Sequence, residues 1–297
     1  MSISRTGDGI PSSVSPDRHH ASMTRPPFRR RKLGRRLRQM REEAGMSIDE
    51  AALVLDKKRT SMYRIEAGES RVDVHLARSM MDVYDIYAPT LLEDVRYALQ
   101  PGWWTTFGLQ ELGYVDVETE ASVVREFALV RLPGLLQTEH YMRAVFDASS
   151  LNRTKSELLN QVKVRMIRQR RLVDEEKPLS LVALIDEIAL RPNIGDAEVV
   201  RDQLGYLVMA AELPTVSLRV LPRSAGAHTG QAAGAFTIVE FSDPEDNPML
   251  YVEYATGAIH IEEEAEVSRA RLLHDHLLGR ALSSEDSVAL IERILAE

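Results

Sequence analysis

Apolar residues in the first third of the chain recur at helical spacing. Leu33, Leu37, Met40 and Ala44 fall at i, i+4, i+7 and i+11, one stripe of a helix, and Gly45 follows where a left-handed C-cap ends it. Ser47 and Glu50 then make an S-x-x-E capping box, with the hydroxyl accepting from the N–H of Glu50 and the carboxylate from that of Ser47. Ile48, Ala51, Ala52 and Leu55 repeat the helical spacing, so a second helix starts there, and Ala52 is small where a third helix must pass close. A turn at Asp56-Lys57-Lys58 leads to a third helix from about Arg59 that buries Met62 and Ile65 and stops at Gly68. Leu76, Met80 and Val83 predict a fourth helix and Thr90 to Leu99 a fifth, broken by Pro101-Gly102.

Beyond that break the pattern changes. Glu118 to about Phe127 reads as helix, and Ala128-Leu129-Val130 as an extended lead into a turn at Pro133-Gly134-Leu135-Leu136. Thr138 caps a helix to Phe146, and Thr154 a longer one to about Val173. Strand-like runs follow at Leu179–Leu190, Thr215–Leu221, Ala235–Phe241, Met249–Tyr254 and Ala258–Ile261, interrupted by a helix from about Asp196 to Ala211. Helices at about Glu264–Leu282 and Glu285–Leu295 close the chain. The fold class is therefore multidomain: an all-α five-helix helix-turn-helix domain, residues 29–100, followed by an α+β domain of helices packed on one sheet, residues 101–297. Residues 1–28, with six serines and four prolines, read as a disordered leader, unless translation begins at Met23.

The third helix leaves Arg59, Thr60, Ser61, Tyr63 and Arg64 on its outer face, residue types suited to base edges in a major groove. Charge points the same way. Arg25 to Arg71 holds 14 Lys and Arg against 7 Asp and Glu, while the whole chain carries a net charge of -8. A basic module is thus attached to an acidic body. Eight of its cations crowd between Arg29 and Arg41; of these Arg30, Arg31, Arg35 and Arg38, with Lys57 and Lys58 in the turn, are the expected phosphate contacts.

On L-x-x-x-R-x-x-A-G-M-S, Glu50-Ala51-Ala52 and S-M-Y-R-I-E-A-G, the segment from about Leu33 to Tyr84 resembles the Cro/repressor-type helix-turn-helix, the XRE family. The resemblance implies a transcriptional regulator in which Arg59, Thr60 and Arg64 read bases, with Tyr63 on a thymine methyl or the backbone. Ile48 stands where the family often has a phosphate-binding glutamine, and Asp56 where the turn usually has glycine. Residues from about Trp103 onward resemble the uncharacterised C-terminal domain common in actinobacterial regulators. The carrying motifs are Gly102-Trp103-Trp104, Leu132 to Tyr141, Arg168 to Arg171, and Leu221 to His228. That resemblance implies a sensor of a ligand or partner and supplies no catalytic residue.

Composition narrows the rest. With no cysteine, disulfides and thiolate chemistry are excluded, and no run is long and apolar enough for a membrane span, so a cytoplasmic, nucleoid-associated protein is expected. The eight histidines are scattered, and His274-x-His276 cannot aim both rings at one metal from a helix. Neither H-E-x-x-H, G-x-S-x-G nor a P-loop occurs, so no enzyme, metal or cofactor is expected. His228 and Thr229 in the glycine-rich loop, with Trp103 and Trp104, are candidate effector contacts; a mobile hairpin connection and a packed hinge are the competing readings. Arg168 to Arg171 reads as a solvated or interface helix face. The expected partners are double-stranded DNA, a second copy of the chain, and a small-molecule effector or small partner protein.

Overall fold

The computed structural model describes residues 26–109, 113–148, 154–191, 194–254 and 257–297, so the expected leader lies outside the described residues up to position 25. Five helices open the chain: α1 (Phe28–Glu43), α2 (Ile48–Val54), α3 (Arg59–Glu66), α4 (Val74–Tyr84) and α5 (Leu91–Leu99). The expected capping box is present, with Glu50 N–H donating to Ser47 Oγ and Ser47 N–H to the Glu50 carboxylate. Asp56 takes the left-handed conformation at φ 49°, which the turn demands and which Asp tolerates better than most residues. Leu33, Leu37, Met40, Ala51, Ala52, Met62 and Ile65 close one core with Ala77, Met80 and Val95 of α4 and α5.

The second region runs α6 (Gly113–Glu120), β1 (Val123–Ala128), α7 (Glu139–Asp147), α8 (Lys155–Gln169), β2 (Ser180–Asp186), α9 (Ala197–Ala210), β3 (Val216–Leu221), α10 (Thr229–Ala233), β4 (Phe236–Glu240), β5 (Met249–Tyr254), β6 (Gly257–Ile261), α11 (Glu264–Arg280) and α12 (Ser284–Leu295). One six-stranded sheet, ordered β3-β2-β1-β4-β5-β6, holds it together; β1, β2 and β3 are parallel and β4 to β6 antiparallel. Side chains alternate across it. Val124, Leu181, Ala183, Leu218, Val239 and Met249 belong to one core with residues of α6, α9 and α12, whereas Phe127, Leu184, Phe236, Ile238 and Leu250 belong to another with residues of α11.

Two local readings are corrected. The helix expected over Glu118 to Phe127 ends at Glu120, and Val123 to Ala128 form β1, the strand that bridges the parallel and antiparallel halves. Pairing with β2 on one side and β4 on the other overrides a pattern that fits a helix when read locally. The strand expected to Leu190 stops at Asp186, whose carboxylate accepts from Ile188 N–H and starts one helical turn over Glu187–Leu190.

The two regions share α1. Phe28 at its first turn is only 1% exposed and packs among Val117, Val124, Val239 and the rest of the sheet core. Its ring stacks on Phe241 at 4.4 Å, and its N–H donates to Asp116 Oδ2 at 2.5 Å. Burial raises the Asp116 carboxyl against that bond and the nearby Arg29 and Arg31.

Candidate nucleic-acid interface

Three contacts set the height and tilt of α3. Gly34 lets α1 touch it: a Cβ there would lie 2.4 Å from the Glu66 carbonyl oxygen and 2.8 Å from that of Ile65. Gly68, at φ +73°, turns the chain where a Cβ would meet the Arg30 carbonyl oxygen at 2.7 Å. Between them Arg41 donates from Nε and Nη2 to both oxygens of Glu66, at 2.7 and 2.9 Å, with both side chains largely buried. Burying a bidentate pair fixes direction more than it adds stability. Sequence reasoning passed over Gly34, Arg41 and Glu66; the available signal was a glycine inside a strongly helical basic run.

So held, α3 turns its polar face outward. The side chains of Arg59 and Arg64 are 68% and 61% exposed. Tyr63 and Thr60 are also exposed, and Ser61 is half-buried. Arg59 rests on Asp49 of α2 at 2.6 Å, and Arg64 lies 3.5 Å from Glu69. Both pairs sit in water, where such pairs contribute little and exchange readily for a phosphate or a base. Ile48, in the place of the family's glutamine, packs against the head's core.

The expected phosphate contacts divide. Lys57 and Lys58 are exposed beside the turn, and Arg38 is exposed with Glu42 one helical turn away. Arg31 is buried and paired with Glu262. Arg35 donates to Asp246 at 2.6 Å, and Lys32 reaches Asp243 and Asp246 at 2.7 and 2.6 Å. Arg30 donates to the carbonyl of Glu69. Four of the eight cations of the run, Arg29, Arg31, Lys32 and Arg35, are therefore engaged by the acidic domain, and the other four by partners within the head. A cleft of about 530 Å³ opens beside this contact, between Lys32, Arg36 and Gln39 on one wall and Asp243, Glu245 and Asp246 on the other.

The expected effector contacts do not converge. The His228 ring is 3% exposed, with Nε2 3.0 Å from Asp186 Oδ2, a T-shaped contact with Phe127, and Nδ1 buried without a hydrogen-bond partner among the described residues. Thr229 starts α10 and is exposed. Trp103 donates to Thr119 Oγ1, and Trp104 packs with Val115 and Val164 in a separate cluster, its ring occupying the space a Gly102 side chain would need. The Arg168 to Arg171 reading is also corrected: Arg168 is bound by Glu118, and Arg171 donates to the carbonyls of Glu118 and Ala121. These arginines tie α8 to α6 inside the domain.

Two family models match the chain. The model of a domain of unknown function, DUF5753, matches residues 112–293, more than half of the chain. The chain belongs to the DUF5753 family. In this DUF5753 member a helix-turn-helix domain matches residues 32–95, which takes in all of α2, α3 and α4. The protein thus joins a DNA-binding head of the helix-turn-helix type to a DUF5753 body. No curated protein and no solved structure matches it. Among the described residues no helix is long and apolar enough to cross a membrane.

Proposed function

We propose that the protein is a sequence-specific DNA-binding transcriptional regulator that acts as a homodimer, with activity set through its C-terminal domain by a small ligand. The observation that carries the reading is the α3 face: Arg59, Thr60, Tyr63 and Arg64 stand exposed on a short helix whose back is locked by Gly34 and the Arg41–Glu66 pair. Arg59, Thr60, Ser61, Tyr63 and Arg64 are its base readers, and Arg38, Lys57 and Lys58 its phosphate contacts. A helix of 8 residues spans few base pairs, so two heads one helical turn apart supply the specificity that one cannot. Because Phe28 belongs to the second core, a shift in that domain reaches the head directly. The reading assigns no catalysis and places the protein on the chromosome in the cytoplasm.

The acidity of the C-terminal body favours a second reading, control by a small basic partner protein, as in antitoxin-like pairs. Selecting genomic fragments on the purified protein tests the primary reading. An inverted repeat among the retained fragments supports a dimeric operator binder, and retention of random sequence counts against it. A second chain co-purifying in stoichiometric amount supports partner control.

A further inference from the structure

The cleft beside the clamp is formed by residues far apart in the chain. Residues 32–43 of α1 supply one wall, the turn between β4 and β5 supplies the other through Asp243, Glu245 and Asp246, and Met40, Ile86 and Ala88 add apolar lining. Its volume of about 530 Å³ falls in the range of small-molecule sites, about 300–1,000 Å³, and the junction of two domains is a place where such sites form. Ion pairs hold the walls in place without a ligand. Lys32 and Arg35 tie the turn to α1 through Asp246, and Arg36 is bound to Asp94 of α5.

The charges around the cleft do not balance. Five carboxylates line it, Glu43, Asp94, Asp243, Glu245 and Asp246, against the three cations Lys32, Arg35 and Arg36. All three cations are already paired with Asp94, Asp243 or Asp246. Two acids are left over, one from each domain. The Glu43 side chain is exposed and has no hydrogen bond or ion pair among the described residues, and that of Glu245 accepts only from the neutral amide of Gln39, at 3.2 Å. Gln39 and Glu43 are neighbours one turn apart on α1, about 5–6 Å between their Cβ atoms, so Glu245, held at Gln39, lies about one helical turn from Glu43. Helix ends strengthen the negative field. Glu43 is the last residue of α1, and Ile86 follows the end of α4 by two residues, so the negative ends of two helix dipoles lie at the rim.

This surplus selects a cation, since an anion finds no uncommitted positive group here. A compact metal dication needs several oxygen ligands converging on one point, and among the described residues no three acidic or histidine side chains are grouped to hold a metal ion. Two separated carboxylates beside apolar side chains suit a cation whose charges are spread along a hydrocarbon chain.

We propose that the cleft binds an aliphatic diamine or polyamine, one ammonium on Glu43, another on Glu245, and the methylenes against Met40, Ile86 and Ala88. This names the effector class for the ligand-controlled reading and rests on that reading for its effect on DNA: a ligand bridging α1 to the β4–β5 turn fixes the head on the body. Binding itself is measured without DNA.

The test is titration calorimetry and thermal unfolding of the full chain with putrescine and with spermidine, against butylamine, which carries a single ammonium, and magnesium chloride, which supplies a compact dication. Putrescine or spermidine is expected to bind saturably and raise Tm, and Glu43→Gln and Glu245→Gln are each expected to weaken binding by roughly tenfold or more. Both positions are exposed, so neither change removes a core contact. Hydrogen exchange locates the ligand, which is expected to slow exchange in residues 39–43 and in residues 243–246 together. The proposal is overturned if neither polyamine binds, if butylamine or magnesium binds equally well, if affinity survives both substitutions, or if protection is confined to one wall. Binding with these properties that leaves DNA retention unchanged supports the site and counts only against control of DNA binding.

Discussion

Phe28 and Phe241 stack 4.4 Å apart with their planes 20° from parallel, so the first turn of the helix that carries the DNA-reading head is built into the core of the other domain. A flexible tether would let the head tumble freely. Here α1 is one rigid piece with its N-terminal end in one core and Leu33, Leu37 and Met40 in the other. Lys32 and Arg35 clamp it from the side on Asp246, whose side chain is 4% exposed.

Removing these contacts should uncouple the domains. Phe28→Ala is expected to cost about 3–5 kcal/mol, as for other buried aromatic truncations. Asp246→Asn is expected to cost about 1–3 kcal/mol by taking the anion from two cations. Calorimetry should show the single transition splitting into two in Phe28→Ala, and hydrogen exchange should quicken along α1 in both variants. An unsplit transition with unchanged exchange would sink the coupling.

Gly34→Ala gives a sharper test of how the reading helix is held. The new methyl would lie 2.4 Å from the Glu66 carbonyl oxygen, a backbone atom that cannot swing aside, so α3 must move off α1. We expect a stability loss of about 1–3 kcal/mol and a loss of specific DNA affinity larger than stability alone explains. Full specific affinity in a folded Gly34→Ala protein would show that the α1–α3 contact does not position the reading face.

The division of the basic residues is open to salt titration. Lys57→Ala and Lys58→Ala should each weaken binding to all sequences and flatten the slope of log K against log salt by about 1. Arg35→Ala, already spoken for by Asp246, should leave the slope unchanged. Equal effects at all three positions would mean that DNA displaces the acidic clamp.

Much of the head was legible in sequence because its signals are local. Ser47 and Glu50 announce their cap within four residues, and Leu33, Leu37 and Met40 their helical stripe within eight. The fate of the basic run was not legible, because Asp243, Asp246 and Glu262 lie some two hundred residues away in the chain and only folding brings them to Lys32, Arg35 and Arg31. β1 was missed for a related reason: its partners β2 and β4 are distant in sequence, and their ladders override the local pattern. His228 was visible as a loop residue, whereas its tie to Asp186 was not. Glu126 drew no notice, since a single acid in a strand means little until its register partners are known.

The pH dependence of stability isolates Glu126. Its folded value of about 7 lies above the ordinary 4.5, so the stability from its protonated form is full below pH 4.5 and is lost as pH rises through about 7. Glu118 of α6, Arg165 and Arg168 of α8 and Glu253 of β5 face it and remain in a Glu126→Gln variant, so the difference between the two proteins reports this one group. Wild type should lose stability relative to Glu126→Gln across that window. Parallel pH profiles would contradict the assignment.

The central claim is that the exposed face of α3 reads sequence, and the most direct measurement is the affinity of wild type, Arg59→Ala and Arg64→Ala for a selected operator and for the same fragment with its bases shuffled. The account predicts that each variant loses roughly 1–3 kcal/mol on the operator and little on the shuffled fragment, so that discrimination collapses while general DNA affinity survives. Undiminished preference for the operator in both variants would contradict it.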